Sequence, residues 1–148
     1  MSGPESSRLV VRALLPGLWL SRRSEMCNKS GRTTNRTEME DHFRASLEPV
    51  LPLAEELGVH ILIQPEPALL AENGSHVRGL LREPASRAIG LNFDAGQYSC
   101  AGQDPDQAFQ EMLEWIGHVH LEDIAPDRTH KHLIPGHGAI DFIALFNV

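Results

Sequence analysis

A parallel α/β sheet covered by helices is the fold this 148-residue sequence predicts, on three observations. Short apolar runs begin at Val59, Ala88 and Gly117, 29 residues apart each time, the length of one strand-plus-helix unit. Between them stand helical patterns rather than hairpin turns, and that alternation sets successive strands side by side and parallel. Third, five of the eight histidines fall between positions 118 and 137, with Glu122, Asp123 and Asp127 among them. In parallel α/β architectures functional groups gather at the C-terminal ends of strands, and this cluster begins where the third run ends.

Composition narrows the partners. An apolar share of 41% with 22% charged residues is that of one globular domain. The formal charge of -7 is uneven: residues 1–44 hold eight Lys/Arg against five Asp/Glu, while residues 45–148 hold five against fifteen. An acidic histidine-bearing part argues against nucleic acid as the partner. The apolar run Leu9–Leu20 is broken by Arg12 and Pro16 and is too short to span a bilayer, so neither an export signal nor a membrane anchor is expected. Cys27 and Cys100 form no spaced framework, which points to free thiols and a cytoplasmic location.

Residues 1–36 are a poorly defined N-terminal segment in which Leu18-Trp19-Leu20 has strand character, and residues 37–148 form the domain. Thr37-Glu38-Met39-Glu40 has capping-box spacing, and Met39, Phe43, Leu47, Leu51, Ala54 and Leu57 fit a helical face leading to Gly58. Pro49 and Pro52 predict a kink there, or two short helices. Val59–Gln64 is a β-branched run stopped by Pro65 and Pro67, hence a buried strand. A helix over 75–82 ends near Pro84, and a second strand covers 88–93. Asp104-Pro105 is a helix start, a capping carboxylate followed by proline, and Phe109, Met112, Leu113 and Ile116 follow on its face. Residues 116–121 form the third strand, where period-two alternation puts His118 and His120 on one face. A further helix is expected to begin near Ala139.

Four segments in order carry a resemblance: Ile63-Gln64-Pro65-Glu66-Pro67, Gly90-Leu91-Asn92-Phe93-Asp94-Ala95-Gly96-Gln97, Gly117–Ile124 and His132–Phe142. Together, over roughly 45–146, they resemble the later strands of the xylose-isomerase-like TIM barrels, the sugar phosphate isomerase/epimerase superfamily that also includes endonuclease IV. The resemblance implies an incomplete (β/α)8 barrel, about strands four to seven, because eight units of this length need roughly 230 residues. Open strand edges would then be covered by another polypeptide or by a second copy, as a homodimer completing the barrel.

The resemblance also implies one divalent metal ion (Mn, Zn, Co or Mg) held by Glu, Asp, His and Glu after four successive strands. Carried over, the Asp falls on Asp94, the His on His120 and the first Glu on Gln64, while the last Glu has no counterpart. The family's Asp-x-x-His reads Asp94-Ala95-Gly96-Gln97, and its Gly-Glu-Gly reads Gly136-His137-Gly138. In family epimerases metal-bound glutamates move the proton beside a carbonyl, and an amide such as Gln64 is no base. Glu66 and His132 are the replacement candidates for catalysis; Gln97, His118, Arg128 and Lys131 are candidates for holding a carbohydrate substrate. Glu122 and Asp123 are candidates for orienting His120. Two readings follow: a sugar or sugar phosphate isomerase/epimerase working by metal-assisted proton transfer, and a catalytically inactive barrel fragment or half-barrel binding module. A DNA-repair activity like that of endonuclease IV lacks both its ligand set and a basic groove.

Overall fold

The computed structural model describes residues 10–12, 35–67 and 69–147. Its first strand, β1 (Val10–Arg12), precedes α1 (Arg36–Leu47) and α2 (Leu51–Leu57). The strand expected at Leu18-Trp19-Leu20 lies outside the described residues. The N-terminus of α1 is capped by Asn35, whose Oδ1 accepts from the Thr37 N–H at 3.2 Å, rather than by the Thr37–Glu40 box. Glu40 instead pairs with Arg36 at 2.9 Å, one turn away. The Pro49/Pro52 pair divides the helical run in two, and Gly58 closes α2 with φ 64, a conformation in which a Cβ would be strained.

The alternation expected from sequence continues: β2 (His60–Ile63), α3 (Gly74–Arg82), β3 (Ile89–Asp94), α4 (Ala95–Cys100), α5 (Pro105–Met112) and a 3-10 turn into β4 (Ile116–His120). Strands β1, β2, β3 and β4 lie in that order in one sheet, all parallel. In register, Leu62 stands beside Gly90, Asn92 beside His118 and Asp94 beside His120. One face of this sheet carries Ile61, Ile89, Leu91 and Phe93, which join Leu47, Val77, Leu80, Ala108, Phe109 and Met112 under the helices. The opposite face, by period-two alternation, presents Leu62, Asn92, Asp94, His118 and His120.

Aromatic packing fixes α4 and α5 on β3. Phe93 stacks on Tyr98 at 4.7 Å and meets Phe109 edge-on at 5.1 Å. Burying Phe93 contributes about 2–3 kcal/mol before aromatic geometry is counted. Beyond β4 the chain forms a small antiparallel ladder, β5 (Asp123–Ile124) with β6 (His132–Leu133), and ends in the single turn α6 (Phe142–Leu145), capped by Asp141. The expected helix from Ala139 is thus shorter and begins later. No helix among the described residues is long and apolar enough to cross a membrane.

Candidate functional site

Adjacent strand ends build the site. β3 delivers Asp94, β4 delivers His120, and Gln64 follows directly on β2. The Asp94 side chain is buried at 2% exposure and divides its two oxygens. Oδ1 accepts from the Gln97 N–H at 3.2 Å and so caps α4, while Oδ2 accepts from Gln64 Nε2 at 3.2 Å and lies 3.5 Å from His120 Nδ1. The Gln64 amide is oriented in turn by Asn92, whose Nδ2 donates to Gln64 Oε1 at 2.9 Å. Asn92, in line with Asp94 on β3, was not among the sequence candidates; its period-two spacing from Asp94 was the available signal.

Histidines from the segment after β4 reach the same end of the sheet. His132 Nδ1 lies 2.6 Å from Glu122 Oε2, His132 Nε2 lies 3.0 Å from His130 Nε2, and His130 Nε2 lies 3.1 Å from Gln97 Nε2. Glu122 therefore meets His132. Burial, and then the charge of neighbouring Asp94, push the Glu122 carboxyl up to about 8. Its close approach depends on Gly96, where a Cβ would fall onto the Glu122 carboxyl. The Cys100 thiol is also pushed up, by burial and by the charges of Glu122 and Asp94, so it is a weaker nucleophile than a free thiol.

Asp123 has a different task. Fully buried, it accepts from the backbone N–H groups of Ile124, Gly136, Gly138 and Ile140 at 2.7 to 3.1 Å. Burial alone would raise its pKa, but those four donors outweigh it and hold the carboxyl below the usual range. Asp123 pins the loop after β6 and, with the β5–β6 pairing, aims His132 back at Glu122.

The other sequence candidates lie around this group. His118 is exposed and packs edge-on against His120, ring centroids 5.2 Å apart. Gln97 is 4% exposed, so its amide faces His130 rather than open solvent. Glu66 is half-buried in a turn tied by its N–H to the Ala71 carbonyl. Arg128 and Lys131 are exposed on the loop between β5 and β6, with Arg128 at φ 57. His137 is likewise exposed. An open groove elsewhere, lined by Leu51, Glu55, Glu83 and Pro84 among others, contains no histidine and has no part in this cluster.

A family described as the xylose isomerase-like TIM barrel matches residues 8–148. The chain belongs to that family. Among curated relatives, inosose dehydratase of Bacillus thuringiensis (strain Al Hakam) is 25% identical over 112 residues, covering 65% of this chain and 38% of that protein. Inosose dehydratase of Clostridium botulinum (strain Eklund 17B / Type B) is 30% identical over 74 residues, covering 39% of this chain and 25% of that protein. The chain thus spans about two fifths of the length of the first of these relatives. Among solved structures, a D-tagatose 3-epimerase-like protein superposes with TM-score 0.66 and 23% identity, covering 74% of this chain and 42% of that one. A 3-keto-D-glucoside 4-epimerase from E. coli gives TM-score 0.57 and 23% identity over 75% of this chain and 40% of that one. At these identities the superpositions establish an α/β fold of the TIM-barrel kind.

A divalent metal is common in this family, and the residues at the strand ends fit one. Asp94 and His120 are a carboxylate and an imidazole with facing donor atoms 3.5 Å apart. Gln64 brings a terminal amide to the same oxygen, and a carboxamide oxygen is a legitimate neutral ligand for hard cations once the amide is turned.

Proposed function

We propose that this chain is part of a metal-dependent enzyme that acts on a polyhydroxylated ketone, removing the proton beside the carbonyl. The observation that carries the reading is the in-register pairing of Asp94 with His120, their facing atoms 3.5 Å apart at the C-terminal ends of neighbouring parallel strands. The named relatives support the substrate class: inosose dehydration and keto-sugar epimerisation both begin with loss of a proton next to a carbonyl. When bound by Asp94 and His120, a divalent ion would polarise the carbonyl oxygen and stabilise the enolate.

What the chain's own groups do follows from their chemistry. Asp94 and His120 hold the ion; Gln64, being neutral, orients a hydroxyl or acts as a weak ligand and moves no proton. Glu122, beside Asp94 with its carboxyl pushed up to about 8, can take up and release a proton near neutral pH, and we assign it the proton carrier's role. Glu66 and His132 are then not needed as bases. Arg128 and Lys131, on an exposed loop, remain the groups suited to an anionic substituent. Strands β1 to β4 correspond in this reading to strands four to seven of the barrel, and a second copy of the chain closes the open edges of β1 and β4.

The experiment is exchange of the substrate's α-proton into deuterated water, followed by NMR with an inosose and Mn2+. Metal-dependent exchange that falls at least about 100-fold in Asp94→Asn is expected. Exchange that is absent with every divalent ion, or equal in the variant, would remove the enzyme reading and leave the inactive half-barrel.

A further inference from the structure

On the face of the sheet turned away from the helices, Asn92 stands two residues before Asp94 on β3. It is 2% exposed, and its register partner on β4 is His118. Its Nδ2 donates to Gln64 Oε1 at 2.9 Å, Gln64 Nε2 donates to Asp94 Oδ2 at 3.2 Å, and that oxygen faces His120 Nδ1 at 3.5 Å. A file of polar groups thus runs from the buried middle of the sheet to the strand ends.

The chemistry of its last member sets the direction of the whole file. A carboxylate only accepts, so Gln64 meets Asp94 with its nitrogen; its oxygen is left for Asn92, which answers with its own nitrogen. One atom is left over, Asn92 Oδ1, buried and without a hydrogen-bond partner among the described residues. In this arrangement the end of Gln64 beside Asp94 carries N–H, which repels a cation. A cation held by Asp94 and His120 favours the reverse, with Gln64 Oε1 toward the ion and Nε2 toward Asn92. Asn92 can answer that arrangement too, because its unpaired Oδ1 is the acceptor the turned amide needs. A leucine in its place could answer neither, and an ionised carboxylate only the second. Asn92 keeps one unpaired atom either way, oxygen in the first case and nitrogen in the second, so pairing at this residue favours neither arrangement strongly.

We propose that Asn92 is a positioning residue that couples the direction of the Gln64 carboxamide to the charge at the strand ends. With the site empty, Asn92 holds Gln64 as a donor to Asp94; with a divalent ion there, the two amides turn together and Asn92 holds Gln64 with its oxygen toward the ion. The inference rests on the metal-dependent reading given above and adds to it a residue that does not touch the ion. Terminal amide torsions are broad and two-fold, so each turn leaves the backbone in place. Every residue of β3 is buried, and the strand stands between two parallel neighbours, which confines the change to the two side chains.

The experiment is NMR of the full chain carrying 15N in its Asn and Gln side-chain amides, recorded without metal and with Zn2+ added to saturation. Without metal, the Gln64 NH2 protons are expected to show cross-relaxation with the His120 ring. With Zn2+ they are expected to exchange those contacts for contacts with the Asn92 β-protons, a signature that a purely structural role for Asn92 would not produce. The His120 ring signals report independently that the ion has reached the strand ends. Followed at those signals, the Zn2+ dissociation constant of Asn92→Leu is expected to be about 10-fold weaker than that of the native chain, the scale for losing a group that orients a ligand. Gln64 contacts that stay with His120 while the His120 signals move, or an Asn92→Leu chain of unchanged affinity, would overturn the coupling and leave the metal reading standing. His120 signals that ignore Zn2+ would remove the metal reading and the coupling with it.

Discussion

Replacing Asp123 with asparagine tests the element on which the histidine segment rests. Its Oδ1 accepts from Ile124 and Ile140, and its Oδ2 from Gly136 and Gly138. Asparagine keeps one oxygen, so one pair of N–H groups loses its acceptor and meets an amide donor instead. Two hydrogen bonds to a charged acceptor are worth about 1.5–3 kcal/mol each, and the loss of both is reduced because the exposed glycines regain water. A net loss of about 2–4 kcal/mol results, which for a domain of this size lowers Tm by about 5–15 °C. The assay is thermal unfolding followed by circular dichroism at pH 7 and again at low pH. Asp123 titrates below its unfolded value, so its contribution is present above about pH 4, the unfolded pKa, and is lost as pH falls through the lower folded value. The gap between native and variant Tm is therefore expected to shrink on acidification. A Tm within about 1 °C of the native protein at pH 7, or a gap that widens in acid, would refute the role given to this carboxylate.

Three further outcomes follow from the same geometry. Glu122 titrates above its unfolded value, so the native fold is favoured below about pH 4.5 and loses that advantage as pH rises toward about 8; Glu122→Gln is expected to flatten this fall, which denaturant melts at pH 5 and 8.5 measure as about 2–4 kcal/mol. Gly96→Ala is expected to push the Glu122 carboxyl away from Asp94, bringing its titration back toward the ordinary carboxylate range in carboxyl-carbon NMR. Phe93→Ala, which removes a fully buried ring stacked on Tyr98 and edge-on to Phe109, is expected to cost about 3–5 kcal/mol in denaturant unfolding.

Much of the fold was legible because its signals are local. The apolar runs of β2 and β3, the Asp104-Pro105 start of α5 and the proline-split helices α1 and α2 are local signals of this kind, and each element appears near its expected limits. The elements that escaped are those whose reasons are tertiary. Ala95–Cys100 contains a glycine, a serine and a tyrosine and has little helical propensity; it is helical because Asp94 caps it and Tyr98 stacks on Phe93. The two-residue strands β5 and β6 exist because Asp123 gathers three amides of a distant loop, those of Gly136, Gly138 and Ile140, which no periodicity announces.

The site divides in the same way. Strand alternation brought His118 and His120 to one face, and resemblance aligned Gln64, Asp94 and His120, which the structure gathers at three adjacent strand ends. The partnership of Glu122 with His132 and the contact between Gln97 and His130 span turns of the chain, so only the folded segment reveals them.

The metal site we propose is held by Asp94 and His120, with Gln64 beside them. Its most direct test is the Mn2+ dissociation constant of three proteins: the native chain, His120→Ala and Gln64→Glu. Loss of the imidazole is expected to weaken binding by at least about 10-fold, and the new carboxylate, set against the same ion as Asp94, to tighten it by a similar factor. One Mn2+ affinity common to all three proteins, or no binding even with Gln64→Glu, would contradict the account.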